Sequence, residues 1–272
     1  INLGIALKDQ GRPEEAVACY RQAVALNPDY AAVHSNMVFV MSYNPTSTVE
    51  TIAAAHREWN DRHARPLTSQ IRPHQNDRDS DRCLRVGYVS SDFCEHAVNY
   101  FMEPLLAAHN RANVEVVCYS ASARTDEVTS RLQALADVWR KILGMSDEAV
   151  ADLIYTDQID ILVDLSSHTA GNRLLVFARK PAPVQVTYLG YGTTTGLSTM
   201  DYRLTDQYLS PSDSREWCSE ELIRLPGCFV CYQPSSGAPS VAPLPSSKAG
   251  TVTVAGKDSI EINKQTYRYI FI

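Results

Sequence analysis

From residue 83 onward, strand-like apolar runs alternate with helical stretches, and this alternation restricts the fold more than any other feature of the chain. LRVGYVSSDF (84–93), VEVVCYS (114–120), IDILVDLSSH (159–168) and PVQVTYLG (183–190) read as strands. NYFMEPLLAAHN (99–110), TDEVTSRLQALA (125–136), SDEAVADLIYTDQ (146–158) and NRLLVFARK (172–180) read as helices between them, with Thr125 and Ser146 as N-caps. Strands separated by helices of this length pair in parallel, with helices on both faces, which makes the region an α/β fold. In such sheets function sits at the carboxyl ends of the strands. Three polar turns fall there: Ser90, Ser91 and Asp92 followed by His96; Ser166 to Thr169; and Gly190 to Gly196. No GxGxxG follows the first strand and no G-x-S-x-G elbow is present, so neither a dinucleotide site of the usual kind nor a hydrolase triad is supported.

Before this region the pattern is purely helical. INLGIALKDQGRPEEAVACYRQAVALNP (1–28) places Leu3 and Leu7 on one face of a first helix. Ala16, Tyr20 and Ala23 lie on one face of a second, which Pro13 opens and Asn27-Pro28 closes. Small Gly4 and Ala16, with Tyr20 filling the gap between helices, make up most of one 34-residue tetratricopeptide (TPR) repeat, so residues 1–30 are assigned to it. Residues 31–65 read as capping helices, with Val33, Met37 and Val40 inward on the first, and Ile52, Ala55 and Trp59 inward on the second. His56 and His63 on that second helix read as solvated surface. The charged, proline-containing stretch 66–82 reads as a linker.

A net charge of −6 and the lack of any Lys/Arg cluster argue against nucleic-acid binding. No apolar run approaches the ~18–20 residues of a membrane span. The seven cysteines, an odd number at irregular spacing, argue against a disulfide framework and fit a reducing cytoplasm. Cys228 and Cys231 form a lone CxxC without a second ligand pair, so no metal is expected. Cys118, in a strand, reads as a small buried hydrophobe.

Three segments together resemble the protein O-linked N-acetylglucosamine transferases, a family that includes TPR-bearing bacterial members and the plant Spindly proteins. They are LRVGYVSSDFCEHAVNYFMEPLLAAH (84–109), ILVDLSSHTAGNR (161–173) and PAPVQVTYLGYGTTTGLSTMDYRLTD (181–206). The resemblance implies a GT-B architecture of two Rossmann-like lobes, with residues 83–250 as the N-terminal, acceptor-side catalytic lobe. It implies transfer of N-acetylglucosamine from UDP-GlcNAc to Ser/Thr hydroxyls, with the nucleotide sugar as donor substrate and no cofactor. Acceptor proteins would bind through the TPR helices. His96 matches the family's active-site histidine, whose imidazole accepts a proton or orders the acceptor. Asp152 matches an aspartate proposed as proton acceptor, beside the alternative of a solvated carboxylate on a helix face. His168 and Thr169 are placed to line the cleft, with a histidine cap on the following helix as the competing reading. Leu189, Gly190, Tyr191, Thr193 and Thr194 offer backbone N–H groups and hydroxyls near acceptor or donor. Where the family has Pro-Gly, this chain has Gly192-Thr193, which sets a β-branched side chain where glycine freedom is expected.

The likeness fades after Pro245, and 251–272 reads as a divergent tail ending in aromatic and β-branched residues (Tyr267, Tyr269, Ile270, Phe271, Ile272), a segment with aggregation-prone character. Together with the start at Ile1 inside a helical pattern, this reads as a fragment: upstream repeats and the second lobe are missing, a frameshift or misassembled gene end accounts for the tail, and the polypeptide alone is expected to be inactive. Two other functions fit the same residues: O-fucosyl transfer from GDP-fucose, and a non-catalytic TPR interaction module.

Overall fold

The computed structural model describes residues 1–79, 81–234, 259–262 and 265–268. The chain divides into two units, Ile1–Gln233 and Pro234–Ile272. In the second, strands β8 (Ser259–Ile262) and β9 (Gln265–Arg268) pair antiparallel. The rest of the divergent tail, including Tyr269 to Ile272, lies outside the described residues.

The first unit opens with four helices, α1 (Asn2–Asp9), α2 (Pro13–Leu26), α3 (Ala31–Met41) and α4 (Val49–Trp59). The spacing between α1 and α2 is set by Gly4, because a Cβ there would lie 2.6 Å from the Tyr20 ring. Leu7 is buried, whereas Leu3 is 64% exposed. Pro13 starts α2, with Glu14 and Glu15 in its first turn favouring the positive end of the helix dipole. Thr48 and Thr51 cap α4 reciprocally. After Trp59 the helix widens into a π turn, Asn60–Ala64, and tightens into a 3-10 turn, Arg65–Gln70. The second of the helices expected over residues 31–65 therefore ends at Trp59.

The α/β part has seven parallel strands: β1 (Leu84–Ser90), β2 (Val114–Ser120), β3 (Val138–Lys141), β4 (Ile161–Asp164), β5 (Val184–Thr187), β6 (Tyr202–Thr205) and β7 (Glu221–Arg224). Helices α5 (Asn99–Ala108), α6 (Glu127–Leu135), α7 (Asp147–Thr156) and α8 (Leu174–Phe177) connect strands β1 to β5. Ser146 caps α7 as expected, while α6 is capped by Asp126 rather than Thr125, in a reciprocal pair with Thr129. The four expected strands are present, β2 with its expected bounds and β1, β4 and β5 shorter; β3, β6 and β7 were not expected. The sheet order is β3-β2-β1-β4-β5-β6-β7. Successive strands thus add outward in opposite directions from a reversal between β1 and β4, the place where open α/β sheets bind ligands.

Alternation along β1 divides the core between the two faces. Val86 and Tyr88 pack with Phe93, Met102, Leu106, Cys118 and Leu132 on one face. Val89 belongs to the other, where Ile154, Leu162 and Phe177 join a single apolar cluster with Val33, Met37 and Trp59 of the helices. The helices therefore share the core of the lobe. Burial of the Cys118 thiol, which pushes its pKa up to about 12, fits the small-hydrophobe reading.

The stretch read as a linker is fastened along the lobe. His74 meets the Lys180 carbonyl at 2.9 Å, the Tyr155 hydroxyl donates to Pro73 O at 2.9 Å, and Arg72 lies over the Tyr155 ring. Asp160, 5% exposed, accepts from both ends of the Arg82 guanidinium, from Asn76 and from the Arg85 N–H. Burial alone would raise its pKa; those donors outweigh it and hold the carboxylate below its ordinary value.

Candidate functional site

Because all seven strands run parallel, the three polar turns gather at one end of the sheet. Two of them flank the reversal between β1 and β4. The loop after β1 is braced from several sides: the Asp92 N–H donates to Ser90 Oγ at 2.9 Å and Asn99 donates to the Asp92 carbonyl at 2.6 Å. Asp126, the cap of α6, accepts the Glu95 N–H at 2.7 Å, and Arg124 donates to the Glu95 carbonyl at 2.8 Å. His96 stands exposed on this braced loop, and its Nδ1 accepts the Val98 N–H at 3.3 Å. The neutral imidazole in that arrangement carries its proton on Nε2. The loop touches its neighbour across the reversal: Ser91 Oγ donates to the Ala170 carbonyl at 3.1 Å, and a Cβ on Gly171 would lie 2.8 Å from Ser91 Cβ.

The loop after β4 is organised by Asp164, 1% exposed. It accepts from Ser166 N at 3.1 Å, Ser167 N at 2.9 Å and the Thr187 hydroxyl at 2.9 Å. Burial pushes its pKa up to about 6 even though those bonds favour the charged form. Ser167 takes a left-handed φ of 46°, within the turn these bonds hold. The Thr169 hydroxyl donates to the Ser166 carbonyl at 2.6 Å and is used inside the loop. His168 is fully buried, and both its ring nitrogens meet protein: Ser35 Oγ of α3 at 3.2 Å and the Thr195 carbonyl at 2.8 Å. It points neither into the open crevice nor onto the start of α8.

The loop after β5 bends through Leu189 and Gly190, with φ of 59° and 29°. A Cβ on Gly190 would lie 2.5 Å from the Leu165 carbonyl oxygen, so only glycine allows the approach. The Tyr191 hydroxyl bonds to that of Ser42, and its ring is 5.4 Å from that of Phe39, docking this loop on α3. Thr193 has no left-handed φ; the glycine freedom expected at the departure from Pro-Gly is supplied instead by Gly190. Thr194 and Thr195 are buried and engaged by Glu220: Thr194 Oγ1 donates at 2.6 Å, the Thr195 N–H at 2.7 Å, and the Thr195 hydroxyl also donates. Gly192 is exposed and Thr193 half-buried. Glu220 carried no signal in the sequence, because it precedes a strand that was not legible.

His56 and His63 are corrections to the surface reading: they are 0% and 9% exposed. The His56 ring packs edge-on against His168 at 5.1 Å, and His34 Nδ1 lies 3.0 Å from His63 Nε2. Burial lowers the pKa of all four imidazoles, that of His34 to about 4.

Asp152 lies apart from these loops. It is exposed on α7 and pairs with Arg72 at 2.7 Å, beside a cavity of about 210 Å³ that Tyr155, Arg179 and Lys180 also line. α7 leads toward the amino end of β4, and Lys180 precedes β5, so this cavity is set toward the other end of the sheet. Among the described residues, no group of three or more His, Cys, Asp or Glu side chains is arranged to hold a metal ion.

Residues 29–234 match Glycosyl transferase family 41, and residues 4–41 match a TPR repeat. A Petunia hybrida SPINDLY protein, described as a probable UDP-N-acetylglucosamine–peptide N-acetylglucosaminyltransferase, is 41% identical over 232 residues, covering 84% of this chain and 25% of the relative. An Arabidopsis thaliana relative with the same description, SEC, is 43% identical over 147 residues, 54% of this chain and 15% of its own. Among solved structures, a mutant Thermobaculum terrenum O-GlcNAc transferase superposes with a TM-score of 0.84 at 40% identity, covering 89% of this chain and 46% of the other. The chain thus spans about a quarter of the SPINDLY relative's length.

Proposed function

Because the chain belongs to Glycosyl transferase family 41, we propose that it supplies the acceptor-side lobe of a transferase that moves N-acetylglucosamine from UDP-GlcNAc to Ser or Thr hydroxyls of proteins. The observation that carries this reading is the meeting of the His96 loop and the loop after β4 at the reversal of strand order, joined by the bond from Ser91 to Ala170. A hydroxyl nucleophile needs to be held in line with the sugar and relieved of its proton. His96, exposed with Nε2–H directed by the Val98 contact on Nδ1, is suited to order the acceptor oxygen; to accept that oxygen's proton the ring must release Val98 and turn its unprotonated Nδ1 to the hydroxyl.

We assign the edge formed by exposed Gly190 and Gly192 and half-buried Thr193 to the acceptor side of the cleft. Leu189, Tyr191 and Thr194 shape that edge as parts of the same loop, and Thr169 holds the neighbouring loop after β4 through its bond to Ser166. For Asp152 we favour the helix-face role that its pairing with Arg72 supports. The TPR helices are assigned to acceptor-protein binding. Among the described residues no helix is long and apolar enough to cross a membrane, and the thiols of all seven cysteines are free. We propose placement in the cytoplasm, a reading the free thiols support. We keep the limits at 30, 65 and 82 as proposed domain bounds.

The test is sugar transfer to a Ser/Thr peptide by the protein encoded by the complete reading frame that contains this chain, with UDP-GlcNAc and GDP-fucose offered separately. Transfer from UDP-GlcNAc is expected. Transfer from GDP-fucose alone would reassign the donor, and transfer from neither, with peptide binding intact, would make the protein an interaction module.

A further inference from the structure

His168 touches three separate parts of the candidate site. It belongs to the loop after β4, its Nε2 is 2.8 Å from the Thr195 carbonyl in the loop after β5, and its Nδ1 is 3.2 Å from Ser35 Oγ in α3. A carbonyl only accepts, so Nε2 carries the proton and Nδ1 accepts from the Ser35 hydroxyl. Burial, which holds the imidazole well below its usual pKa, keeps it in that neutral form. Both nitrogens are therefore satisfied by a single tautomer, and only when all three elements are in place. The rings of Trp59, His56 and Tyr191 pack around it at centroid distances of 5.2, 5.1 and 6.4 Å, which fixes its orientation. The next residues, Gly196 to Leu197, continue the same loop, and a Cβ on Gly196 would lie 2.8 Å from His56 Cβ of α4.

We propose that His168 is a positioning residue for the transfer reaction: it locks the loop after β5 against helix α3, so that the helical repeat sets the geometry of the acceptor edge at Gly192 and Thr193. This rests on the functional reading above and adds a direction of control to it. The helices then act as part of the frame of the site, in addition to whatever protein they hold.

The bridge is tested in two arms. In the 272-residue chain, His168→Leu keeps the volume of the ring but removes both hydrogen bonds, and amide exchange at Thr195 to Leu197 is expected to rise about tenfold or more. His168→Gln, which retains a donor for Thr195 O and an acceptor for Ser35, is expected to restore protection. Ser35→Ala is expected to loosen the loop partly, and to add nothing in the His168→Leu background. In the complete protein, His168→Leu is expected to lower kcat by about tenfold or more with the KM for UDP-GlcNAc within about twofold, and His168→Gln to recover most of it. Leu132→Ala, a cavity in the apolar cluster on the opposite face of the sheet, is the stability control and is expected to leave loop exchange unchanged. Wild-type exchange and kcat in His168→Leu would overturn the proposal, as would an equal kcat loss in Leu132→Ala at a matched melting temperature. If the unaltered complete protein transfers no sugar, the functional reading fails instead, and the exchange arm alone decides the bridge: an unchanged loop in His168→Leu overturns it.

Discussion

Gly190 shows how narrowly a single residue is specified here. Its φ of 29° and the 2.5 Å that would separate a Cβ from the Leu165 carbonyl leave no room for a side chain, and the obstacle is backbone. Gly190→Ala is expected to destabilise the chain by about 1–3 kcal/mol in denaturant unfolding, whereas Gly192→Ala, with only Leu209 Cδ1 at 3.9 Å, is expected to be close to neutral. Asp152 is the contrasting case. Its ion pair with Arg72 is exposed and contributes at most about 1 kcal/mol. Asp152→Asn in the complete protein is expected to retain transfer within about twofold; a loss as deep as that of a reacting group would return Asp152 to the chemistry. Residue type disguised position at two histidines. His56 follows Ile52 by four and precedes Trp59 by three, so helical spacing already put it beside two inward residues, and only its polarity suggested solvent. His63 lies four after Trp59 in the same way. What the spacing could not supply was a partner to make burial tolerable: the Ile52 carbonyl, 2.9 Å from His56 Nδ1, and the His34 ring for His63.

At the level of elements, the junction between the helices and the lobe is filled by imidazoles held neutral. Their ordinary pKa is 6.5, and burial lowers it in His34, His56, His63 and His168. Below about pH 6.5 the unfolded chain takes up protons that the fold refuses, so stability falls as pH drops, continuing to the folded value of about 4 for His34. The neighbouring charges pull in both directions. Arg62 adds to the depression at His34 and His63, Asp29 opposes it at His63, and Glu216 and Glu220 oppose it at His56. Asp164 has the opposite sign: its raised pKa means that acidification from about 6 towards its ordinary 3.8 favours the fold. Four imidazoles outweigh one carboxyl, and the melting temperature is expected to be several degrees lower at about pH 5 than at about pH 7.5. An equal or higher value at the lower pH would show that these rings are not buried neutral. The long central strands were legible because VGYVS and VEVVCYS are apolar for most of their length. β3, β6 and β7 were not, since Val138 to Lys141 ends in two cations and Glu221 to Arg224 is charged at both ends. Four-residue strands toward the sheet margins are made by their neighbours more than by their own sequence.

Across the whole first unit, the helices and the α/β lobe share one apolar cluster, and Pro73, His74, Asn76 and Arg82 are pinned along the lobe. Proline and charge density in that stretch suggested a linker; Arg72 and Arg82 turned out to have partners in the lobe, Asp152 and above all Asp160. Asp160→Ala would leave the Arg85 N–H without its acceptor and release Arg82 and Asn76, and is expected to cost about 1–3 kcal/mol in denaturant unfolding. A loss below about 1 kcal/mol would mean that the strap is held elsewhere. The gathering of the three polar turns was legible from parallel pairing alone, but the contact from Ser91 to Ala170 needed the order of strands, which no local pattern encodes. The claim on which the rest depends is that chemistry occurs at this meeting point, on His96. The direct measurement is the rate of sugar transfer from UDP-GlcNAc to a Ser/Thr peptide by the complete protein and by its His96→Ala variant. His96 is exposed, and its side chain makes one long contact, to the Val98 N–H, so the variant is expected to melt like the parent while losing about 100-fold or more in kcat. A His96→Ala protein that transfers sugar at the parental rate would contradict the assignment of this crevice as the active site.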